Sequence, residues 1–326
     1  MNELYPLKFT PIILDKIWGG SKLKNILNKP TSSDKAGESW EISGVEGHVS
    51  LISNGFLEGN NLEELIEIYM GNIVGDRIFE RHGYQFPLLI KFIDANDALS
   101  IQVHPGDELA RKRHNSFGKT EMWYIMQADK GSELIIGFNR EVNKETYLHH
   151  LDNKSLQEIL NNEPVKEGDV FFLPAGRIHA IGSGILLAEI QQTSDVTYRI
   201  YDFDRRDTEG NYRELQTELA VDAIDYTYHR NYRKDYTLEN NIPTEIIRCD
   251  YFTTNILHVS ALYNKDIAQL DCFMIYICLE GSGIIISPGN DKVTLKNGES
   301  VLIPASVVQF SIHPQETMKL LEVYID

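Results

Sequence analysis

The sequence predicts a mainly β protein made of two related barrels in tandem, with short helical insertions. Two observations lead to this prediction. Short apolar, β-branched or aromatic runs alternate with Gly, Pro and Asn along the chain, as in β-sandwiches and barrels. A segment of the first half also recurs in the second half at a fixed offset. At 326 residues, the chain is long enough for two packed domains.

The repeat rests on a frame of glycine and proline. The chain reads Gly-x5-Pro-x-Gly-x2-His from Gly168, and Gly-x5-Pro-x-Ser-x2-Gln from Gly298, at an offset of 130 residues. Upstream strands carry Tyr124 in the first copy and Tyr276 in the second. The first copy has about 22 extra residues between this strand and the frame, and they coincide with helical periodicity over 144–160. An insertion therefore separates two otherwise similar barrels.

Helical periodicity occurs in three places, and in each of them apolar residues recur on one helix face. The predicted helices cover residues 61–81, 144–160 and, more weakly, 215–223. We expect them to be insertions into a β framework.

Charge and composition restrict the class of ligand. The chain has 31 Lys and Arg against 48 Asp and Glu, a net charge of −17, which opposes a general nucleic-acid or anionic-membrane surface. An anionic ligand must be bound by a few placed cations. The three cysteines suggest no disulfide framework, and neither a signal peptide nor an apolar run of about 18–20 residues is apparent. We therefore expect a soluble cytoplasmic protein.

Two predicted strands each present a candidate metal ligand beside a polar neighbour. In the segment 100–105, strand periodicity places Ser100, Gln102 and His104 on one face. The same period of two places Lys119 and Glu121 together on the next strand. Both strands therefore carry metal-ligand chemistry on one side.

His179, at the end of the first glycine–proline frame, completes a candidate ligand set. Two imidazoles and two oxygen donors suit zinc or another borderline divalent ion. In the frame of the repeat, Phe273 and Gln309 take the positions of Glu121 and His179. The ligand types are therefore absent together from the second copy, which indicates that they work as a set.

The frame at 168–179 resembles the second conserved motif of the cupins, whose barrel is a double-stranded β-helix or jelly roll. With the segments 91–95, 99–105, 118–123 and 191–202, the chain resembles the type I mannose-6-phosphate isomerases (phosphomannose isomerases). The match is closest to their short bacterial form. The resemblance implies two tandem cupin barrels and the interconversion of mannose 6-phosphate and fructose 6-phosphate.

The resemblance also implies one zinc ion per chain, bound by residues matching Gln102, His104, Glu121 and His179. Aldose–ketose isomerisation moves a proton between C1 and C2 through a cis-enediol, so it needs an acid–base group and stabilisation of an oxyanion. Lys119 is our candidate base, because a neighbouring metal cation favours a neutral amine. His104 and a metal-bound water remain alternatives.

Substrate contacts are predicted at several further positions. Arg199 cannot deprotonate, so it is expected to stabilise the enediolate or a substrate oxygen. Lys91 and Ser100 match positions that the family links to the phosphate end, although Lys91 could instead be a snorkelling edge lysine. Glu41 and Trp18 are expected near the cleft, with a structural role equally open.

The segment after Arg199 differs from the family's longer members. Where those carry a Gly-Gly-Leu-Thr-Pro-Lys-like sequence, this chain has Ile200-Tyr201-Asp202-Phe203-Asp204-Arg205. We expect a different lid over the substrate, and we interpret 202–206 as a solvated turn.

We expect a metal-binding catalytic domain over 1–235, with helical insertions at about 58–83 and 142–163, and a cupin-like domain without ligands over 236–326. Two other functions stay open. An Fe(II) cupin dioxygenase usually presents His-x-His where this chain has Gln102-x-His104, and a non-catalytic sugar-phosphate-binding module would not need an intact ligand set. A small sugar phosphate is the expected partner, with no nucleic acid or membrane, and a monomer and a homodimer are both compatible with the sequence.

Overall fold

The computed structural model describes residues 3–207 and 209–326, and it contains two β-barrels, each formed by two facing sheets. The α-helices are short and lie mostly in the first half: α1 Lys22–Asn25, α2 Leu62–Tyr69, α3 Gly71–Val74, α4 Asp76–His82, α5 Asp107–His114, α6 Lys144–Asp152 and α7 Thr217–Ala223. Single 3-10 turns occur at Gly55–Leu57, Leu156–Ile159 and Pro288–Asn290. In the described part of the chain, no helix has the length and apolar character needed to cross a membrane.

The strands of the first barrel and its flanking hairpins are β1 Phe9–Thr10, β2 Ile12–Gly20, β3 Ala36–Ile42, β4 Gly44–Val45, β5 His48–Val49, β6 Leu51–Ile52, β7 Leu88–Ala95, β8 Ile101–Val103, β9 Glu121–Ala128, β10 Glu133–Phe138, β11 Leu160–Pro164, β12 Val170–Leu173, β13 His179–Ile181, β14 Ile185–Gln192, β15 Tyr198–Tyr201 and β16 Arg233–Lys234. Twelve of them form a seven-stranded sheet, β16-β12-β9-β14-β7-β3-β2, which faces a five-stranded sheet, β11-β10-β13-β8-β15, while β1 pairs with β6 and β4 pairs with β5.

The strands of the second barrel are β17 Thr244–Arg248, β18 Thr253–Val259, β19 Tyr263–Asp266, β20 Met274–Glu280, β21 Ser282–Ile286, β22 Lys292–Lys296, β23 Ser300–Ile303, β24 Gln309–Pro314 and β25 Met318–Tyr324. Their order repeats that of the first barrel. The order β12-β9-β14-β7-β3 recurs as β23-β20-β25-β18-β17, and β11-β10-β13-β8 recurs as β22-β21-β24-β19. The prediction of two related barrels in tandem is therefore confirmed.

Strand pairing corrects one equivalence drawn from the repeat. Glu121 pairs with Leu173 across β9 and β12, and the corresponding pair in the second barrel joins Met274 to Ile303. The counterpart of Glu121 is thus Met274, and the prediction of Phe273 is wrong. The Phe273 ring instead lies 4.8 Å from that of Phe86, in the core between the barrels.

The same one-residue correction applies at the other ligand position. His179 pairs with Gln102 across β13 and β8, whereas Lys265 pairs with Phe310 across β19 and β24. Phe310 is buried inside the second barrel, while Gln309 is exposed and donates to Asp266. The inward counterpart of His179 is therefore Phe310. A one-residue shift along a strand moves a side chain to the opposite face of the sheet.

The helical predictions are confirmed in all three places, by α2 to α4, by α6 and by α7. The capping box of Asn61 and Glu64 fixes the start of α2. Helix α5, however, was not predicted. It carries charged residues around most of its surface and buries only Ala110, so its apolar periodicity is too weak to detect.

The largest apolar core lies between the two barrels. It combines residues of the first barrel with residues of the second, among them Phe86, Met122, Tyr124 and Ile190 from the former and Phe273, Ile275, Ile277 and Leu321 from the latter. Separate cores fill the interiors of the two barrels. The barrels are therefore joined through a shared apolar face.

Candidate active site

A cleft of about 570 Å³ opens between the two sheets of the first barrel. Its lining is rich in charge, and the charged side chains are Lys16, Glu38, Lys91, Lys119, Glu189, Asp195, Arg199 and Arg213. Ser100, Gln102 and Trp18 also line it, as the sequence predicted for a cleft near these residues. A locally cationic cleft in an acidic protein fits a small anionic ligand.

Three of the four predicted metal ligands converge at the inner end of this cleft. One donor atom each from His104, Glu121 and His179 lies within 4.8 Å of the others, and all three residues are buried. His179 Nε2 is 3.3 Å from Glu121 Oε1, and His104 Nε2 is 3.6 Å from Glu121 Oε2. The Gln102 amide lies 3.3 Å from His179 Nε2, so the fourth predicted ligand belongs to the same cluster.

Local strand geometry explains why these residues meet. β8 is buried at Ile101 and Val103, so its alternation turns Gln102 to the inside of the barrel. The pairing of β13 with β8 places His179 directly beside Gln102. Glu121 comes from the facing sheet, at the first residue of β9. The cluster is therefore built across the barrel by both sheets.

Backbone carbonyls fix the orientation of both imidazoles. His104 Nδ1 lies 3.0 Å from the Val196 carbonyl oxygen, and His179 Nδ1 lies 2.9 Å from that of Arg177. A protonated Nδ1 donates to each carbonyl and leaves the Nε2 lone pair directed at Glu121. Burial, reinforced by the Lys119 ammonium, lowers the pKa of His104 far below its usual value and that of His179 to about 4. Both side chains are therefore neutral, as metal ligation requires.

The unsatisfied atoms of the cluster fit a cation. Both carboxylate oxygens of Glu121 and His104 Nε2 are fully buried without a hydrogen-bond partner among the described residues. Burial, and after it the nearby Glu189 carboxylate, raises the pKa of Glu121 to about 8. Unpaired buried acceptors are costly, and a divalent ion satisfies all of them at once.

Lys119 lies beside the cluster, as its spacing from Glu121 predicted. Its Nζ is 3.5 Å from Glu121 Oε2, and its side chain is only 7 % exposed. The next residue is held firmly, because Thr120 N donates to the Gln192 amide oxygen at 2.9 Å. The Lys119 amine therefore lies close to the ligand cluster, and Lys119 also lines the cleft.

Arg199 lies on the strand next to the one that carries Gln102. It pairs with Gln102 across β15 and β8, so β13, β8 and β15 present His179, Gln102 and Arg199 side by side. Its Nη1 donates to the Glu214 carbonyl oxygen at 2.8 Å. Arg199 therefore borders both the metal cluster and the cleft.

Lys91 has a partner that the sequence did not reveal. Its Nζ lies 3.1 Å from Glu189 Oε1 and donates to the Gln191 amide oxygen at 2.8 Å. Trp123 Nε1 donates to the other Glu189 oxygen at 2.8 Å. Burial opposes ionisation of Glu189, but the Lys91 and Lys119 ammonium groups outweigh it and lower its pKa. Glu189 is thus an ionised carboxylate within the cleft.

Glu189 and Lys91 each interrupt an apolar strand, and that shared feature is the signal that could have paired them. The two strands are far apart in sequence but adjacent in the sheet, where Lys91 and Glu189 are directly opposite. The Lys91 charge is therefore balanced from within the protein.

The prediction that Glu41 lies near the cleft is wrong. Glu41 Oε1 accepts from Lys29 Nζ at 2.6 Å and from the Ser39 hydroxyl at 2.5 Å, in a buried pair on the other face of β3. Strand alternation turns Glu38 into the cleft instead, where it pairs with Lys16 at 3.1 Å. Glu41 therefore belongs to a buried ion pair with Lys29 and does not line the cleft.

Family models and known relatives agree with this arrangement. Residues 7–139 match the model described as phosphomannose isomerase type I, catalytic domain, and residues 241–325 match mannose-6-phosphate isomerase, cupin domain. The chain is 36% identical over 318 residues to mannose-6-phosphate isomerase ManA of Bacillus subtilis, covering 94% of this chain and 95% of the relative. It is 34% identical over 293 residues to mannose-6-phosphate isomerase of Streptococcus mutans, with 90% of each chain covered.

The crystal structure of the mannose 6-phosphate isomerase from Bacillus subtilis superposes with a TM-score of 0.89 at 30% identity, covering 99% of this chain and 100% of that one. The likeness extends over both barrels.

Proposed function

This chain belongs to the type I phosphomannose isomerase family, and on that premise we propose that it interconverts D-mannose 6-phosphate and D-fructose 6-phosphate. The observation that carries the proposal is the buried His104–Glu121–His179 cluster, with Lys119 beside it, at the inner end of a cation-lined cleft. The alternative of a non-catalytic sugar-phosphate-binding module gives these buried, unpaired acceptors no role.

We assign one zinc ion to Gln102, His104, Glu121 and His179. Two neutral imidazoles, one carboxylate and one amide oxygen form a donor set that suits zinc and leaves the site with net positive charge. When bound, the ion supplies Lewis-acid polarisation of the sugar oxygens near C1 and C2. Strict His-x-His ligation, which would favour an Fe(II) dioxygenase, is absent from β8, where Gln102 precedes His104.

The chain's own residues account for the proton transfer. Isomerisation through a cis-enediol requires a base that removes a proton from one carbon and returns it to the next. Lys119 is buried, lies beside Glu121 and lines the cleft, so we assign it the role of that base. Arg199 stabilises the negative charge that develops on the substrate oxygens. Glu189 is the second candidate base, because it is ionised and lines the same cleft.

We further propose a catalytic domain over 1–235 and a cupin-like domain over 236–326. The boundary is supported by β16, which pairs with β12 of the first barrel, and by β17, which pairs with β18 of the second. Three cysteines without disulfides support a reducing compartment, the cytoplasm.

Substitution of Lys119 by Met tests the proposal. We expect the variant to retain zinc, measured by elemental analysis, and to lose about 100- to 10,000-fold in kcat in a coupled assay for fructose 6-phosphate. Lys8→Met is the matched control, because Lys8 pairs with Glu299 outside the cleft. Turnover that survives Lys119→Met but not Glu189→Gln would transfer the role of base to Glu189.

Two further measurements test the reaction itself. Chelation of the metal is expected to abolish activity, and zinc is expected to restore it. Turnover in deuterated water should place deuterium at C2 of mannose 6-phosphate, because a proton bound to the base exchanges with solvent. Full activity after removal of the metal, or no activity with it, would refute the proposal.

A further inference from the structure

The segment that follows β15 turns at Phe203 and Asp204, as the sequence suggested, but its first residue, Asp202, is a buried carboxylate held between two guanidinium groups. Asp202 is only 5% exposed. It accepts from Arg205 Nη2 at 2.6 Å and from Arg213 Nε at 2.8 Å, and Arg213 Nη2 bonds its other oxygen as well. Arg205 is anchored further by the Ala98 carbonyl oxygen at 2.7 Å. The bidentate contact between Arg213 and Asp202 fixes the plane of the Arg213 guanidinium.

Arg213, Arg199 and Ser100 all line the cleft. Arg199 Nε is buried and has no hydrogen-bond partner among the described residues. Arg213 uses Nε and Nη2 on Asp202, and its Nη1 makes no hydrogen bond in the part of the chain that the structure describes. Two guanidinium groups that line the cleft therefore carry N–H groups without a hydrogen-bond partner among the described residues.

Charge balance distinguishes this end of the cleft from the rest. The two cleft lysines that take no part in the proposed proton transfer each have a carboxylate of their own: Lys16 lies 3.1 Å from Glu38, and Lys91 lies 3.1 Å from Glu189.

In contrast, Asp202 is shared by Arg205 and Arg213, and Arg199 has no carboxylate within ion-pair distance among the described residues. Burial, and after it the neighbouring Arg213 charge, lowers the pKa of Arg199. The positive charge that the protein leaves unbalanced is therefore concentrated on the arginine side.

We propose that Arg213, oriented by Asp202, binds the substrate phosphate, and that this contact selects phosphorylated over free sugars. The inference rests on the proposed function, and it assigns the phosphate to the arginine side of the cleft instead of Lys91. The planar fork of arginine matches two phosphate oxygens, and a dianion offsets the surplus charge. Arg213 is a binding residue in this assignment, and Asp202 is a positioning residue.

The test compares Arg213→Gln with the wild-type chain. We expect the KM for mannose 6-phosphate and the inhibition constant of inorganic phosphate to rise together by about 10- to 100-fold, since a charge-assisted hydrogen bond is lost. We expect kcat to change by less than about 3-fold, since uniform binding is what is removed. Activity on unphosphorylated mannose should be unaffected. Arg206→Gln is the matched control, because Arg206 bonds Gly210 and Tyr212 outside the cleft.

An inhibition constant of phosphate that stays within about 2-fold of wild type in Arg213→Gln would overturn the assignment. If that variant does not fold by circular dichroism, Arg213→Lys replaces it, with an expected loss of about 3- to 10-fold because the fork is gone and the charge remains.

Calorimetric titration of the metal-loaded chain with inorganic phosphate separates the two proposals, because it needs no turnover. Phosphate binding that depends on Arg213 in a chain that does not isomerise would refute the proposed function and support this inference. A chain that isomerises, but whose phosphate binding is unchanged in Arg213→Gln, would support the proposed function and refute this inference.

Discussion

The two barrels have the same strand order but different interiors. The inward positions of the ligand set in the first barrel are taken in the second by residues that bind no divalent ion: Lys265, Ile267, Met274 and Phe310 replace Gln102, His104, Glu121 and His179. The framework is therefore compatible with either interior, and the chemistry depends on four side chains.

A buried carboxylate is common to both interiors. Glu189 lies between Lys91 and Trp123 in the sheet of the first barrel, and Glu322 lies between Asn255 and Tyr276 at the same place in the second. Asn255 and Tyr276 both donate to Glu322, at 2.9 and 2.7 Å.

Lys265 completes the second interior from the facing sheet. It stands at the position of Gln102, and its Nζ lies 2.8 and 2.9 Å from the two Glu322 oxygens. The second barrel thus balances its carboxylate with a cation of its own chain. The first barrel differs in that the Glu121 oxygens and His104 Nε2 have no partner among the described residues. An added cation can therefore bind there, whereas the second barrel supplies its own.

Exchange of the ligand residues is the strongest way to test this comparison. The double substitution Glu121→Met and His179→Phe gives the first barrel the side chains of the second. We expect the variant to lose its bound metal. We also expect kcat/KM to fall by at least about 1,000-fold, because the metal no longer stabilises the transition state, a contribution of several kcal/mol. Elemental analysis and the coupled assay measure both. Met274→Leu, at the counterpart position, should keep full activity; metal retained by the double variant would contradict the assignment.

Removal of the internal cation tests the second barrel. Lys265→Met leaves Glu322 buried with hydrogen bonds but no counter-charge, and we expect a loss of about 3 kcal/mol in the free energy of unfolding, measured by urea denaturation. The specific activity of the folded enzyme should not change. The double variant Lys265→Met with Glu322→Gln should recover most of the loss; equal stability of Lys265→Met and wild type would show that the pair is not needed.

Removal of a hydrogen bond between the barrels is expected to have the smallest effect on stability and activity. Tyr251, from the second barrel, donates to Asp107 Oδ2 at 2.9 Å. Asp107 Oδ1 in turn accepts from Gly118 N at 2.8 Å and from Gln192 Nε2 at 3.0 Å, next to the segment that carries Lys119. Burial, and after it Asp107, raises the pKa of Tyr251 to about 12, so the phenol remains a donor.

Tyr251→Phe removes only that hydroxyl. We expect a loss of about 1 kcal/mol in stability and a 2- to 5-fold lower kcat with unchanged KM, since one hydrogen bond that positions the Lys119 segment is lost. Steady-state kinetics and thermal denaturation measure the two effects. Tyr84→Phe, at an exposed tyrosine, is the control. A change in KM alone would contradict a positioning role for Tyr251.

Periodicity in single strands was sufficient to predict much of the site. Alternation placed Gln102 beside His104 and Lys119 beside Glu121, and the structure brings the two histidines, Glu121 and the Gln102 amide together. These predictions succeeded because a strand has a period of two that can be read without knowledge of its neighbours.

Predictions failed where pairing between strands decides the outcome. The glycine–proline frame aligned the turns of the two barrels, but the ladders differ by one residue, so Phe273 and Gln309 face away from the interior. The Lys91–Glu189 pair joins strands that are distant in sequence; each charge interrupts an apolar strand, but only the pairing of the two strands places one charge opposite the other.

Glu38 and Glu41 show the same limit within one strand. The segment Gly37-Glu38-Ser39-Trp40-Glu41 contains two carboxylates on opposite faces. Their spacing of three residues places them on opposite faces of the strand, but it does not indicate which face lines the cleft. The packing of β3 against β7 settles it in favour of Glu38.

The apolar face shared by the barrels makes them a single cooperative unit in unfolding. Residues such as Phe86 and Phe273 would be exposed to water if either barrel unfolded alone. The free energy of unfolding one barrel therefore includes the loss of its apolar contacts with the other. A ligand that binds only the folded first barrel therefore raises the melting temperature of the whole chain. By this linkage, the metal ion that we propose for the first barrel would protect the second barrel from proteolysis without contacting it.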